Sequence, residues 1–236
     1  MRHSKRFQSA AAVIESERNY GISDAVAALK ESATAGFDET AELSMNLGIR
    51  PAQTVVRGTC NLPHGTGKTV RVIAFAKGES QAEAEAAGAD EVGGEDLAKR
   101  IQEGWLEFDK VVASPDMMPV VGKLGKLLGP RGLMPSPKTG TVTKDVGRAV
   151  SELKSGMVEF RTDRYGVIHT VFGKASFDVA ALRENLEALL RSIGEARPEE
   201  GIKGRYIKKA AISSTMGPGI HLDLTEVASV AEGEPA

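Results

Sequence analysis

The chain has one cysteine, Cys60, in 236 residues. No disulfide can form within it, which suits a reducing cytosol, and no cysteine pair exists to help hold a metal. Nor is there an excess of positive charge. The 30 Lys and Arg stand against 32 Asp and Glu, for a formal net charge of −2, and the pI is about 6.1. That balance argues against a simple basic nucleic-acid binder, so any RNA contact must come from a local arrangement of groups. No apolar run is long enough to cross a bilayer. The start, Met1-Arg2-His3-Ser4-Lys5-Arg6, is basic, but the apolar stretch Ala10 to Ile14 is too short for a signal-peptide core and runs into Glu15, Glu17 and Arg18. A cytoplasmic protein is expected, with no membrane partner and monomeric when free.

Constellations that carry enzyme chemistry are scarce as well. The histidines His3, His64, His169 and His221 lie far apart, none at metal-ligand spacing. There is no Gly-x-Ser-x-Gly elbow, and Cys60 beside Asn61 reads as a buried thiol. Gly65-Thr66-Gly67-Lys68-Thr69 ends like a Walker A loop, but the first glycine of that pattern falls on Leu62. The segment also runs into the strand-like Val70 to Phe75 where a phosphate loop needs a helix. A nucleotide-binding α/β enzyme is the alternative reading; a linker turn is the simpler one. No catalytic residue, metal or cofactor is expected.

What is present falls into three stretches. In the first, to about Gly67, Ser23 is a candidate N-cap for a helix carrying Val26, Leu29, Lys30 and Ala33, with Gly36 ending it. Leu43, Met45, Leu47 and Ile49 then alternate with Glu42, Ser44, Asn46 and Gly48. That is a strand of an antiparallel sheet covered on one side. The middle stretch, Lys68 to about Met157, alternates nearly continuous apolar strands (Val70 to Phe75, Glu91-Val92, Lys110 to Ala113) with helices (Ser80 to Ala87, Asp96 to Glu103, Met117 to Leu128, Lys144 to Lys154). It reads as a parallel sheet sandwiched by helices. The last stretch returns to the first style. Val158 to Thr162 and Gly166 to Phe172 are predicted as a hairpin joined at Asp163-Arg164-Tyr165-Gly166. A helix follows with Leu182, Leu186, Leu189, Leu190 and Ile193 on one stripe. The strands Tyr206 to Ser213 and Ile220 to Leu224 come next. The acidic tail from Glu226 is expected to be disordered.

The fold class is therefore α/β with two domains. Residues 1–67 and 157–236 form a discontinuous α+β domain with an antiparallel sheet, and residues 68–156 form an inserted, Rossmann-like α/β/α domain. The two glycine-bearing crossings between them would permit a hinge. Two further segments stand out. The long loop around Leu128-Gly129-Pro130-Arg131-Gly132-Leu133-Met134-Pro135 and Pro137-Lys138-Thr139-Gly140-Thr141-Val142 carries Lys123, Lys126, Arg131 and Lys138 in or beside it. These cations suit either phosphate or plain solvation. Ser213-Ser214-Thr215-Met216-Gly217-Pro218-Gly219 joins two strands through hydroxyls and glycines that suit phosphates, 2′-OH groups or base edges, or a polar turn. Upstream, Lys203, Arg205, Lys208 and Lys209 form a basic cluster.

These segments resemble the family of large-subunit ribosomal protein L-one. Leu128 to Pro135 with Pro137 to Val142 is very similar to its signature, and Ser214-Thr215-Met216-Gly217-Pro218 looks like its RNA-contacting loop. Gly36-Phe37-Asp38-Glu39-Thr40, Arg57-Gly58-Thr59, Leu62-Pro63-His64-Gly65 and Gly173-Lys174-Ala175-Ser176-Phe177 match as well. The resemblance implies a structural, non-enzymatic component of the large ribosomal subunit. It would bind a helical junction of large-subunit (23S) rRNA, next to other large-subunit components, and form the mobile stalk beside the exit (E) site. There it would assist release of deacylated E-site tRNA. Bacterial members also bind their own operon mRNA and repress its translation. Carried over, the RNA-binding residues are Phe37, Thr40, Glu42, Asp163, Gly166, His169, Ser213, Ser214, Thr215, Met216 and Gly217. They are mostly short and polar, suited to reading RNA shape and sugar edges. Phe37 fits base or sugar stacking and core packing equally. The residue before it, usually basic in the family, is Gly36 here.

Overall fold

The computed structural model of the chain describes residues 4–15, 18–51 and 54–233, with the side chains of Glu79, Lys138 and Lys203 left out. The basic start before Ser4, Glu17 and the last acidic residues therefore lie outside the described residues, as do the side chains of Lys138 and Lys203 named above. The chain divides into two compact units, Met1–Gly67 with Val158–Ala236, and Lys68–Met157.

In the first unit, α1 (Lys5–Ala12) and α2 (Ile22–Ser32) lead into β1 (Thr40–Ile49). Ala41, Leu43, Met45 and Leu47 of β1 are buried while Glu42 is exposed and Ser44 and Asn46 are half-buried, as the period of two requires. β1 runs inside a four-stranded sheet of order β7-β1-β8-β9, where β7 is Val167–Lys174, β8 Ile202–Ser214 and β9 Ile220–His221. Each neighbouring pair is antiparallel. The inner face packs on α2 and on α8 (Val179–Glu195), whose Leu182, Leu186, Leu189, Leu190 and Ile193 are fully buried. Burying each such side chain stabilises the unit by about 1.5–3 kcal/mol. Among those leucines Asn185 is also fully buried. It accepts from the His64 N–H at 3.0 Å and donates to the carbonyls of Gly65 at 3.0 Å and Phe172 at 2.9 Å. A buried amide with its groups satisfied fixes the Leu62–Gly65 segment against α8 and β7.

Four expectations need correcting. The N-cap of α2 is Gly21, not Ser23, and its C-cap is Ala33, not Gly36. The Ile22 N–H is instead satisfied by the Glu226 carboxylate at 3.0 Å, a partner distant in sequence. The acidic tail is not disordered over its first half. Asp223 accepts from the Thr225 N–H and starts α9 (Leu224–Ala231), which buries Val227 and Val230. The predicted hairpin is also different. β6 (Met157–Arg161) pairs with β2 (Arg57–Asn61), a strand the sequence did not announce. It meets β7 only through a Thr162–Ile168 bridge.

The second unit has the parallel sheet β4-β3-β5, formed by β3 (Val72–Phe75), β4 (Glu91–Gly93) and β5 (Lys110–Ala113). Ile73, Phe75, Val111 and Ala113 face one apolar cluster, and Val72, Ala74 and Val112 face another. The first cluster takes in α4 (Glu95–Gln102) and the second takes in α3 (Glu79–Ala86) and α7 (Val146–Lys154). The fourth correction lies here: the helix expected from Met117 to Leu128 is broken. A 3₁₀ turn at Pro115–Met117 precedes α5 (Met118–Gly122), and α6 (Gly125–Leu128) follows separately. Gly122, Gly125 and Gly129 sit at the breaks, where glycine weakens a helix by about 1 kcal/mol per residue. Val121, Leu124 and Leu128 are still buried, but Leu127 is 39% exposed.

The close approach of α9 to α8 supplies a test. A Cβ on Gly194 would lie 1.9 Å from the Ala231 carbonyl oxygen. Gly194→Ala is expected to destabilise the protein by about 1–3 kcal/mol through overpacking, read as a lower Tm in thermal denaturation. An unchanged Tm would contradict the packing of the C-terminal helix.

Candidate nucleic-acid interface

The outer face of the four-stranded sheet is polar and open. Glu42 lies opposite Ser213 and Val171, Ser44 opposite Ala211 and His169, and Asn46 opposite Lys209 and Val167. His169 is exposed, and its Nδ1 is 3.1 Å from the Ser44 Oγ. These positions thus carry hydroxyl, amide, imidazole and small apolar groups with the charges of Glu42 and Lys209, not a field of cations.

At the Thr40 end two loops meet. One, 33–39, connects α2 to β1; the other, 215–219, connects β8 to β9. The residue that joins them is Glu39, only 1% exposed. Its Oε1 accepts from the Ala35 N–H at 2.9 Å. Its Oε2 accepts from the Ser214 hydroxyl at 2.7 Å and from the Met216 N–H at 2.9 Å. Burial pushes the Glu39 carboxyl up, but the bonds from Ser214, Met216 and Ala35, with the nearby charge of Arg6, outweigh it and hold the group below its ordinary value. Further bonds lock the same corner. Thr215 Oγ1 accepts from the Thr40 N–H at 2.9 Å, Lys174 Nζ donates to Thr40 Oγ1 at 2.8 Å, and Asp38 accepts from the Ser176 N–H and hydroxyl. Lys30 Nζ donates to the Phe177 carbonyl.

Two large apolar side chains stay outside this locked corner: Phe37, 55% exposed, and Met216, 49% exposed. Each is carried by a loop whose backbone is tied down by Glu39, so little conformational entropy remains to be lost when a partner is met. Phe37 is not a core residue, which closes one of its two sequence readings. Gly217 fits where a side chain would not, since a Cβ there would come 2.4 Å from the Ser214 Oγ. Gly36 is different: a Cβ there meets nothing within 4 Å.

Of the residues singled out from the sequence, Phe37, Thr40, Glu42, Ser213, Ser214, Thr215, Met216 and Gly217 gather at this end. Thr215 is exposed, Thr40, Ser213 and Gly217 are half-buried, and Ser214 is buried. Ser214 is therefore a positioning residue. Asp163 and Gly166 lie at the opposite end of β1, where the Leu47 N–H donates to the Gly166 carbonyl at 2.9 Å. Gly166 is buried with a φ of 79°, a left-handed conformation that favours glycine. Asp163 is exposed and accepts from the Val167 and Tyr165 N–H groups at 2.8 Å each. The Val167 bond most of all, helped by those of Tyr165 and Gly166 and by the charge of His169, outweighs the opposing desolvation and keeps its carboxyl below the ordinary range.

Sequence reasoning missed Glu39, which reads on its own as a solvated acid. One signal was there in the parity: Glu39 lies just before β1, two positions ahead of Ala41 in the series Ala41, Leu43 and Met45 that faces inward.

Other candidate chemistry is placed elsewhere. Cys60 is buried, and burial, with the charge of Glu195 adding to it against a hydrogen bond from Ser192, pushes its thiol up. No helix follows Gly65–Thr69; β3 does, and Lys68 Nζ contacts Asp109 Oδ1 at 2.5 Å. Among the described residues no cluster of His, Cys, Asp and Glu could hold a metal, and no helix is long and apolar enough to cross a membrane. Lys123, Lys126 and Arg131 are exposed in the second unit, beside a loop braced by hydrogen bonds among Ser136, Thr139 and Thr141.

Compared with known families, residues 29–218 match the model of the Ribosomal protein L1p/L10e family. The matched span contains every site residue singled out from the sequence.

The Glu39 hub predicts an acid-sensitive corner. Because its folded pKa lies below the ordinary 4.5, its contribution is complete above that pH and is lost as pH falls through the folded value. Glu39→Gln leaves buried donors without an anionic acceptor and is expected to cost about 1–3 kcal/mol at neutral pH. It should also flatten the acid limb of a urea-midpoint-against-pH curve. A variant with the same midpoint and the same acid limb would refute the hub.

Proposed function

Since the chain belongs to the Ribosomal protein L1p/L10e family, we propose that it is an rRNA-binding component of the large ribosomal subunit that works bound to the ribosome in the cytoplasm. On this reading the first unit is a discontinuous RNA-binding domain, the second an inserted α/β domain, and the two chain crossings a hinge. The RNA is a helical junction of 23S rRNA. Together they make the mobile stalk beside the E site that accompanies deacylated tRNA as it leaves. The same surface would take a similar fold in the protein's own operon mRNA and repress its translation.

The observation that supports this best is the corner where Phe37, Thr40, Thr215 and Met216 are presented on backbone locked by Glu39. Exposed apolar side chains beside hydroxyls on an ordered scaffold suit sugar edges, 2′-OH groups and unstacked bases. Such contacts do not depend on neutralising many phosphates, which fits RNA binding by a chain of net charge −2.

Titration of a transcribed large-subunit rRNA junction fragment tests the reading. Thr215→Val and Met216→Asp should each weaken specific binding by about 1–3 kcal/mol, Met216→Asp with an unchanged Tm and both with the protein still folded. Unchanged affinity in both variants would mean the surface is wrong. Gly36 allows a test in the opposite direction, because space is open there and its φ is not in the left-handed region. Gly36→Lys should tighten binding and steepen the plot of log K against log salt by about 0.7–0.9, one phosphate contact. Sedimentation of cell extract should place the protein with large subunits.

A further inference from the structure

The turn at the far end of the sheet carries an aromatic group that the interface above does not use. Tyr165 is 66% exposed, more than any other large apolar or aromatic side chain among the described residues. The guanidinium of Arg164 lies over its ring, 4.9 Å from the centroid. An exposed tyrosine on a loose loop would mean little, but this turn is fixed. Asp163 accepts from the Tyr165 and Val167 N–H groups, the Asp163 N–H donates back to the Val167 carbonyl at 2.9 Å, and the Gly166 carbonyl is held by Leu47 of β1. Three arginines stand about this turn, against the single carboxylate of Asp163 within it. Arg50 and Arg161 are exposed near the same turn, and neither they nor Arg164 form an ion pair with a carboxylate among the described residues. Arg50 lies between Ile49 and Pro51, whose side chains are the nearest neighbours of a Cβ built on Gly166, at 3.3 and 3.4 Å.

We propose that Tyr165, backed by Arg164, is a stacking platform for an unpaired base of the bound RNA. This rests on the RNA-binding reading above, which already takes Asp163 and Gly166 of this turn as RNA contacts, and adds a stacked base beside them. The chemistry is that of a largely exposed aromatic ring with a guanidinium over its face. A base stacks on such a face whatever its sequence, and the guanidinium adds a charge toward the phosphate that accompanies it. Spacing gives the platform its use. From Thr40 to Leu47 is seven steps of extended chain, about 23 Å at roughly 3.3 Å per residue. The Glu39 corner and the Tyr165 turn therefore mark the two ends of β1, with the polar face of Ser44, Asn46 and His169 between them. An RNA element held at both ends would be fixed in orientation along the sheet, which a single corner cannot do.

The test uses the full chain, the same rRNA junction fragment, and Thr215→Val as a control at the other end. Tyr165→Ala should weaken binding about 5- to 150-fold, the range for loss of one stacked base, with the slope against salt unchanged. Tyr165→Phe and Tyr165→Trp should bind within about twofold of the parent, because the π-face survives. Arg164→Ala should weaken binding and reduce the salt slope. If Tyr165→Ala binds like the parent while Thr215→Val is weakened, the platform is refuted and the RNA-binding reading stands. If Tyr165→Phe loses as much as Tyr165→Ala, the hydroxyl acts and stacking is refuted. If neither Tyr165→Ala nor Thr215→Val changes affinity, the RNA-binding surface itself is wrong and the platform falls with it.

Discussion

The Glu39 carboxylate is the contact on which the exposed chemistry of this chain depends. A buried carboxylate is costly unless donors surround it, and here the donors come from segments far apart in the sequence: Ala35 four residues before it, and Ser214 at the end of β8 with Met216 in the loop that follows. Satisfying the charge therefore requires that α2, β1 and the β8–β9 loop be in place together. Local order at the surface is in this way bound to global order in the core. The consequence is that Phe37 and Met216 remain exposed without being loose, and a binding partner need not supply the entropy of ordering them.

This arrangement also explains how a chain of net charge −2 suits a polyanion. Electrostatic capture scales with the number of phosphates neutralised and decays with salt. Recognition through hydroxyls, backbone groups and apolar faces on a rigid sheet does neither. Ion pairs such as Arg18–Glu15, Arg71–Glu107 and Arg148–Glu152 are exposed on both sides and of small individual worth. Lys209, on the face opposite Asn46, forms no ion pair with a carboxylate among the described residues. In the second unit the three layers follow from β3 and β5 being apolar on both faces, with Ile73 and Phe75 turned one way and Val72 and Ala74 the other.

Much of the fold was legible because its signals are local and periodic. The alternation along β1, the stripe of leucines on α8 and the short apolar strand Lys110–Ala113 all appear where the sequence places them. The failures share a cause, which is that the deciding partner lies far away in the chain. Gly21 can serve as an N-cap only because Glu226 supplies the acceptor. The acidic tail folds because Val227 and Val230 meet a core that composition cannot reveal. β6 pairs with β2, and nothing near Val158 announces that. The candidate site was legible in its exposed members, Thr215 and Met216, through turn chemistry and a family resemblance. It was not legible in Glu39, whose role exists only once two distant loops are side by side.

The most direct measurement of that role is a double-mutant cycle for rRNA-fragment affinity between Glu39→Gln and Thr215→Val, made under conditions where both variants are folded. If Glu39 acts by holding the loop that presents Thr215, the two losses are coupled, and the double variant binds little worse than the weaker single one. Fully additive losses would contradict the account, because the buried carboxylate and the exposed hydroxyl would then contribute independently.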